Sequence, residues 1–198
     1  FMCGIIGITK TKKTNNLIGS QIYEALTRLE YRGYDSVGMA VISKDGIELA
    51  KDKGSINEVG EKLNFSEYEG STAIGHSRWA THGVVSKNNA HPFANDDLTL
   101  VCNGIIENYR KIQNRFVEIP KNIQSDTEIS FYFLTYLVNK YKNTDEAIII
   151  VTEEEDDFII VNKDKVPPVT TVEPIHKTAN KLTNIIETDY TSDFFIYT

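Results

Sequence analysis

The feature that most constrains this chain is its opening, Phe1-Met2-Cys3-Gly4-Ile5-Ile6-Gly7-Ile8. Cys3 to Thr9 is mostly apolar and rich in β-branched isoleucine, and a polar loop follows from Lys10 to Asn16. A short buried strand is therefore predicted at the start. A cysteine directly behind a methionine becomes residue one once an encoded Met2 is removed. It would then carry a thiol nucleophile and an α-amine, of pKa about 7.7–8.0, able to serve as its base. The alternative is a small buried residue of an apolar strand, the commoner use of a free cysteine. These eight residues alone favour that alternative; the segments that follow decide the matter.

The chain has 198 residues, enough for one domain with its own core and no staples. Twenty-one basic against 28 acidic side chains leave a formal charge of −7, which argues against nucleic acid or an anionic membrane as a partner. The apolar runs are too short to span a bilayer. No charged-then-apolar leader is seen, so a cytoplasmic protein is expected. Two cysteines, Cys3 and Cys102, do not make a disulfide framework and are expected as thiols. The four histidines, His76, His82, His91 and His176, form no zinc-type spacing, and CxxC is missing, so no metal site is expected.

Ile22, Ala25, Leu26 and Leu29 lie on one face of a helix predicted over Gly19 to Tyr31, which Gly33 ends. Val37 to Ile42 and Ile47 to Lys53 read as two strands joined by the turn Lys44-Asp45-Gly46. Ile56, Val59 and Leu63 suggest a short helix, and Ser71 to His76 a strand. Ser77 to Asp97 shows little periodicity, as long functional segments often do. Leu98 to Cys102 is a predicted strand, with a short helix from about Glu107. Ser125-Asp126-Thr127-Glu128 has the capping-box spacing and opens a helix carrying Ile129, Phe133, Tyr136 and Leu137. Strands are predicted over Ala147 to Thr152 and Phe158 to Val161, joined by the solvated acidic turn Glu153 to Asp157. Pro167-Pro168 forces an extended segment, and Phe194 to Tyr197 reads as a last strand. Strands and helices in blocks, not in strict alternation, point to a layered α+β fold.

Four segments concentrate polar chemistry: Tyr31-Arg32-Gly33-Tyr34-Asp35-Ser36, His76-Ser77-Arg78-Trp79-Ala80-Thr81-His82-Gly83, Cys102-Asn103-Gly104-Ile105-Ile106-Glu107-Asn108 and Ser125 to Glu128. Singly, each has an ordinary explanation. Arg32 suits a helix C-terminus, Arg78-Trp79 surface packing, Asn103-Gly104 a turn, and Asp126 a cap. Together with an opening Cys-Gly-Ile-Ile-Gly, they resemble the glutaminase domain of the glutamine–fructose-6-phosphate amidotransferases. That domain belongs to the class II glutamine amidotransferases, which are amino-terminal-nucleophile hydrolases. The match runs in order from Cys3 to about Leu137, and Tyr31 to Ser36 is the segment that separates this branch from its relatives.

The resemblance implies an α+β fold, a four-layer αββα sandwich, forming one glutaminase domain over residues 1–198. It implies that Cys3 attacks the side-chain amide of L-glutamine to form a γ-glutamyl thioester, with its own α-amine moving the protons. Asn103 and Gly104 would form the oxyanion hole. Arg78 would bind the substrate carboxylate and Asp126 its ammonium. Trp79, Thr81 and His82 would belong to the loop that closes over glutamine, and Arg32 would help position the chain terminus. No cofactor is implied. The ammonia would pass to a sugar-isomerase domain or subunit binding fructose 6-phosphate, which this chain is too short to contain. Association with further copies of the chain is compatible with this reading. Two alternatives stay open: a class II glutaminase serving another acceptor, and a glutamine-binding regulatory module without turnover.

Three features depart from the family pattern. An amide-linked Cys3 lacks a basic α-amine, so Phe1-Met2 is expected to be an extension ahead of the working terminus, and a chain retaining it is expected to be poorly active. Around Val166-Pro167-Pro168 the family's Ser-Pro-Leu-like strand and following Ala-Ser-Asp-like segment are not evident, and Lys177 to Thr198 does not align. Cys102 stands where the family often has histidine; it is read as packing beside the oxyanion hole.

Overall fold

The computed structural model describes residues 3–10, 17–80, 83–106 and 108–141, together with the backbone of 193–197. The predicted strands at 147–152 and 158–161, the acidic turn between them, and Pro167-Pro168 lie outside the described residues.

The first sheet contains β1 (Gly4–Thr9), β2 (Ser36–Ser43), β3 (Gly46–Lys53) and β4 (Thr72–Arg78), in the order β1-β4-β2-β3 and antiparallel throughout. The turn at Lys44-Asp45 closes the β2–β3 hairpin as expected, with Gly46 taking the positive φ of 114° that glycine tolerates. A second antiparallel sheet has the order β5-β6-β7, from β5 (Phe93–Ala94), β6 (Thr99–Asn103) and β7 (Asp193–Tyr197). Among the described residues, two helices accompany the first sheet: α1 (Ile18–Arg28), followed by a 3-10 turn at Glu30–Arg32, and α2 (Ile56–Lys62). Two accompany the second: α3 (Tyr109–Arg115) and α4 (Asp126–Tyr141).

Side-chain parity along the strands sorts the core into three layers of contact. Ile18, Ile22 and Leu26 of α1 pack with Val37, Met39, Val41 and Ala73 on the outer face of the first sheet. Ile5, Ala40, Ile74 and Val101 meet between the sheets. Leu100 and Cys102 join Ile112, Ile129, Phe133 and Leu137 under α3 and α4. Helix, sheet, sheet, helix is the αββα order. The central strand β4 is buried along its whole length, because it is covered on both faces and paired on both edges. Ala73, Gly75 and Ser77 therefore face α1, while Ile74, His76 and Arg78 face the second sheet. At Gly75 an added Cβ would stand 2.8 Å from Ile22, which is how closely the helix lies on the sheet.

The helix ends follow local chemistry. Ser55 and Glu58 form a reciprocal capping box at α2. At α4 the Ser125 hydroxyl accepts the Glu128 N–H at 3.4 Å, the hydroxyl half of the expected box. The α1 helix stops three residues before the predicted Tyr31, since Glu30–Arg32 tightens into the 3-10 turn. The segment from Ser77 to Asp97, expected to be irregular, contains one further strand, the two-residue β5.

Gly38 on β2 is a close-approach glycine: an added Cβ would lie 2.3 Å from the His91 carbonyl oxygen and 2.5 Å from Lys51 Cβ. Neither neighbour can yield without moving backbone. Gly38→Ala is expected to lower unfolding free energy by about 1–3 kcal/mol, the usual cost of overpacking, in urea titrations. An unchanged midpoint would contradict this packing.

Candidate active site

The sheets bring Cys3 to the lip of a pocket lined by Cys3, His76, Arg78, Trp79, Gly104 and Asp126, with His91, Cys102, Ser125 and Thr127 completing it. Each arrives by a definable route. Cys3 directly precedes β1, and its parity with Ile5 faces it toward the second sheet. Gly4 then lies beside Ser77 and Leu29, where an added Cβ would come within 2.4 Å of Ser77 Oγ. Arg78 ends β4 on the inter-sheet face. Asn103 ends β6 with the parity of Val101, aimed back at the first sheet.

Asn103 holds the Cys3 backbone at two points. Its Oδ1 accepts the Cys3 N–H at 3.2 Å, and its Nδ2 donates to the Cys3 carbonyl at 3.1 Å. The Cys3 thiol lies between the two polar groups of one residue: the Trp79 N–H points at Sγ from 3.3 Å, and the Trp79 carbonyl accepts the thiol at 3.6 Å. Burial pushes the Cys3 thiol above its usual range, and the Trp79 hydrogen bond and the Arg78 charge only partly offset this. Arg78 is itself buried, which lowers its pKa, while Cys3, Asp126 and Asp35 oppose that shift. Asp126 begins α4, and its Oδ2 accepts the Ile106 N–H at 2.9 Å, tying the helix start to the segment beyond Gly104.

The structure thus brings together Cys3, Asn103, Gly104, Arg78, Trp79 and Asp126. Arg32 is not among the lining side chains; it is half-buried in the 3-10 turn, and its N–H donates to the Leu29 carbonyl. Its neighbour Gly33 does abut the site, since an added Cβ there would lie 2.5–2.7 Å from backbone atoms of Ser77, Arg78 and Trp79. Thr81 and His82 lie outside the described residues. Cys102 is buried, with its side chain in the cluster beneath α3 and α4, in keeping with a packing role.

Four contributors escaped the sequence reading. Asp35 clamps the start of the loop after β4: its Oδ2 accepts the Ala80 N–H at 2.8 Å, and its own N–H donates to the Arg78 carbonyl at 3.1 Å. Tyr34 adds an edge-to-face contact with Trp79 at 5.3 Å. The acid in Tyr31 to Ser36 was the available signal. His76 and His91 stack with their ring centroids 4.2 Å apart in the buried wall. Nothing in their spacing announced that. A larger groove of about 760 Å³ beside α1 and α2 is open to solvent, and its Ser55 and Glu58 are engaged in capping α2, which leaves the Cys3 pocket as the candidate site.

No family model matches the chain. It does match curated proteins named glutamine–fructose-6-phosphate aminotransferase (isomerizing). That of Staphylococcus aureus is 39% identical over 149 residues, which is 74% of this chain and 24% of the relative. That of Sulfurisphaera tokodaii is 43% identical over 129 residues, 64% of this chain and 22% of the relative. The chain therefore spans about a quarter of the length of the curated relatives it matches. Among solved structures, an allosteric regulatory enzyme of purine biosynthesis superposes with a TM-score of 0.61 at 22% identity, over 78% of this chain and 33% of that one. The layered sheets define the class: the fold is that of the amino-terminal-nucleophile hydrolases to which the class II glutamine amidotransferases belong. Within that class, the curated relatives that the chain resembles, at 38–43% identity, are glutamine–fructose-6-phosphate aminotransferases. Among the described residues, no helix is long and apolar enough to cross a membrane.

The buried imidazoles couple the site to acid stability. Burial holds His76 down at about 3, and holds His91 well below its usual value, whereas an unfolded histidine titrates near 6.5. Both folded values are depressed, so the unfolded chain binds more protons below pH 6.5. Stability is therefore full above about pH 6.5 and is lost as pH falls toward about 3. Urea unfolding across that range should show the decline, and His76→Gln should flatten it. Equal slopes in the two proteins would contradict a buried neutral His76.

Proposed function

We propose that this chain, with Cys3 as its first residue, hydrolyses the side-chain amide of free L-glutamine to glutamate and ammonia. One observation carries the reading: the thiol, a guanidinium and a carboxylate converge on a single pocket, with Asn103 clamping the backbone of the residue that bears the thiol. Arg78 suits the substrate carboxylate, because a planar guanidinium can donate to it at two points. Asp126 across the pocket suits the ammonium. An α-amino acid would thus be held by its two charged ends, with its side-chain amide directed at Cys3.

A free α-amine at Cys3 takes the thiol proton, and Sγ forms a bond to the amide carbon. The carbonyl electrons move onto oxygen and then return as the C–N bond breaks. Ammonia leaves with the proton held by the amine, and water attacks the thioester to release glutamate and restore the thiol. The elevated thiol pKa makes that base necessary at neutral pH. The oxyanion faces the Gly104 N–H and the Asn103 amide. Asn103 Nδ2 has two hydrogens, one of which goes to the Cys3 carbonyl, leaving the other for a substrate oxygen. Trp79, Thr81 and His82 cover the substrate, and Arg32 sets the course of the chain beside the terminus. Every group in this scheme is a protein group, so it calls for no cofactor. The ammonia acceptor is fructose 6-phosphate, held by a sugar-isomerase domain or subunit; that the chain matches only about a quarter of its relatives' length supports such a separate part.

The test is glutamate release by chains of defined terminus. A chain beginning at Cys3 should turn over glutamine, and one retaining Phe1-Met2 should lose about 10²-fold or more in kcat, the scale of general-base catalysis. Cys3→Ala should abolish turnover, and Asp126→Asn should raise KM. Equal rates with and without Phe1-Met2 would defeat the amine-base mechanism.

A further inference from the structure

The edge of β6 changes partner along its length. At Leu100 it pairs with Phe93 of β5, and at Thr99 with Ala94, where β5 ends. Continuing that register two residues the other way sets Cys102 opposite His91, beyond the recorded ladder. In a strand, one residue's N–H and C=O point to the same edge. At Cys102 both are met by imidazoles: the N–H donates to His91 Nδ1 at 3.3 Å, and the C=O accepts from His76 Nε2 at 2.9 Å. Two side chains thus stand in for a missing strand one residue before Asn103.

We propose that His76 and His91 are a positioning pair that sets the Asn103–Gly104 turn by gripping the Cys102 peptide groups. This is a role beyond the groups that touch substrate, and it rests on the proposed hydrolysis only for its kinetic readout. A carbonyl only accepts, so His76 carries its proton on Nε2. Cys102 N–H only donates, so His91 Nδ1 is bare, and its ring is neutral with the proton on Nε2. Both rings are buried, with pKa values depressed, as that arrangement needs.

The pair is itself held. His76 sits on the central strand β4, between β1 and β2. The His91 carbonyl packs on Gly38, and the preceding Ala90 carbonyl accepts Lys51 Nζ at 2.6 Å. Lys51 also lies 4.4 Å from the centre of the Phe93 ring, which in turn is 5.0 Å from His91. The rigid sheet therefore fixes both rings, and they fix a strand end that, among the described residues, backbone pairing leaves unsupported on this edge.

The matching amides separate this role from mere space filling. Asn places a group where Nδ1 stands, and Gln places one where Nε2 stands. In a chain beginning at Cys3, His91→Ala and His76→Ala should each lower kcat for glutamine by about 10- to 100-fold, less than the roughly 10²–10³-fold of deleting an oxyanion donor outright. KM should stay within about threefold. His91→Asn and His76→Gln should recover most of the loss, whereas the swapped amides, His91→Gln and His76→Asn, should not. Nitrogen-15 spectra of the unmutated protein should show both rings as the Nε2–H tautomer, a result independent of how any variant folds. Equal losses for matched and swapped amides, or an Nδ1–H tautomer at either ring, would overturn the proposal. If the parent chain fails to release glutamate, the proposed function falls instead. The positioning role is then read from the Gly104 amide resonance, which the alanine variants should shift and the matched amides should restore; a resonance unmoved by alanine would overturn it.

Discussion

Two hydrogen bonds between residues 100 apart hold this site together. The Asn103 side chain takes both the N–H and the C=O of Cys3, and so pins the head of the first strand to the end of the sixth. The sheets otherwise meet through apolar contacts, such as Ile74 with Val101, which resist separation but set direction weakly, and through the buried hydrogen bond from His76 to the Cys102 carbonyl. Directional bonds at one end of that interface turn two stacked sheets into a defined cleft. They also place a thiol, ordinarily an inert buried group, against the Trp79 peptide and near the Arg78 charge. Burial still dominates and holds the thiol pKa up, so the proposed hydrolysis needs a base, and the proposal takes the Cys3 nitrogen that Asn103 already holds.

The rest of the fold makes that clamp possible. β4 is buried on both faces, and its parity divides labour: Ala73 and Gly75 receive α1, while Ile74, His76 and Arg78 face inward. One strand thereby supplies core, a grip on the neighbouring sheet and a charged end for the pocket. Asp35 continues this by bonding the backbone at both Arg78 and Ala80, so the loop leaves the sheet from a fixed point. Acid at the start of α4 does the corresponding work on the far wall, where Asp126 holds the Ile106 amide.

Much of this was legible in the residues. Isoleucine-rich β1, the Lys44-Asp45-Gly46 turn, the α1 apolar face and the Ser125 cap are local patterns, and each formed where expected. The Phe194 to Tyr197 strand was also readable from its apolar aromatics, although its partner β6 lies some ninety residues earlier and nothing local identifies it. What escaped was non-local. β5 is two residues long and has no period to detect. His76 and His91 belong to different segments and meet only because β4 and β6 face each other. Asp35 looked like one polar residue among several near a helix end; its importance lies in what the end of β4 brings to it. The candidate site was readable because its residue types are rare in combination. Its support was not, because supporting residues are chosen by the geometry they complete.

The account stands on Cys3 being an acylated nucleophile. The direct measurement is acid-quench mass spectrometry of a chain that begins at Cys3, taken during turnover of glutamine. The account predicts one γ-glutamyl group on the peptide containing Cys3, removed by hydroxylamine and missing when Cys102 is the only thiol left. Turnover without any such adduct, under conditions where hydrolysis of the thioester limits the rate, would contradict it.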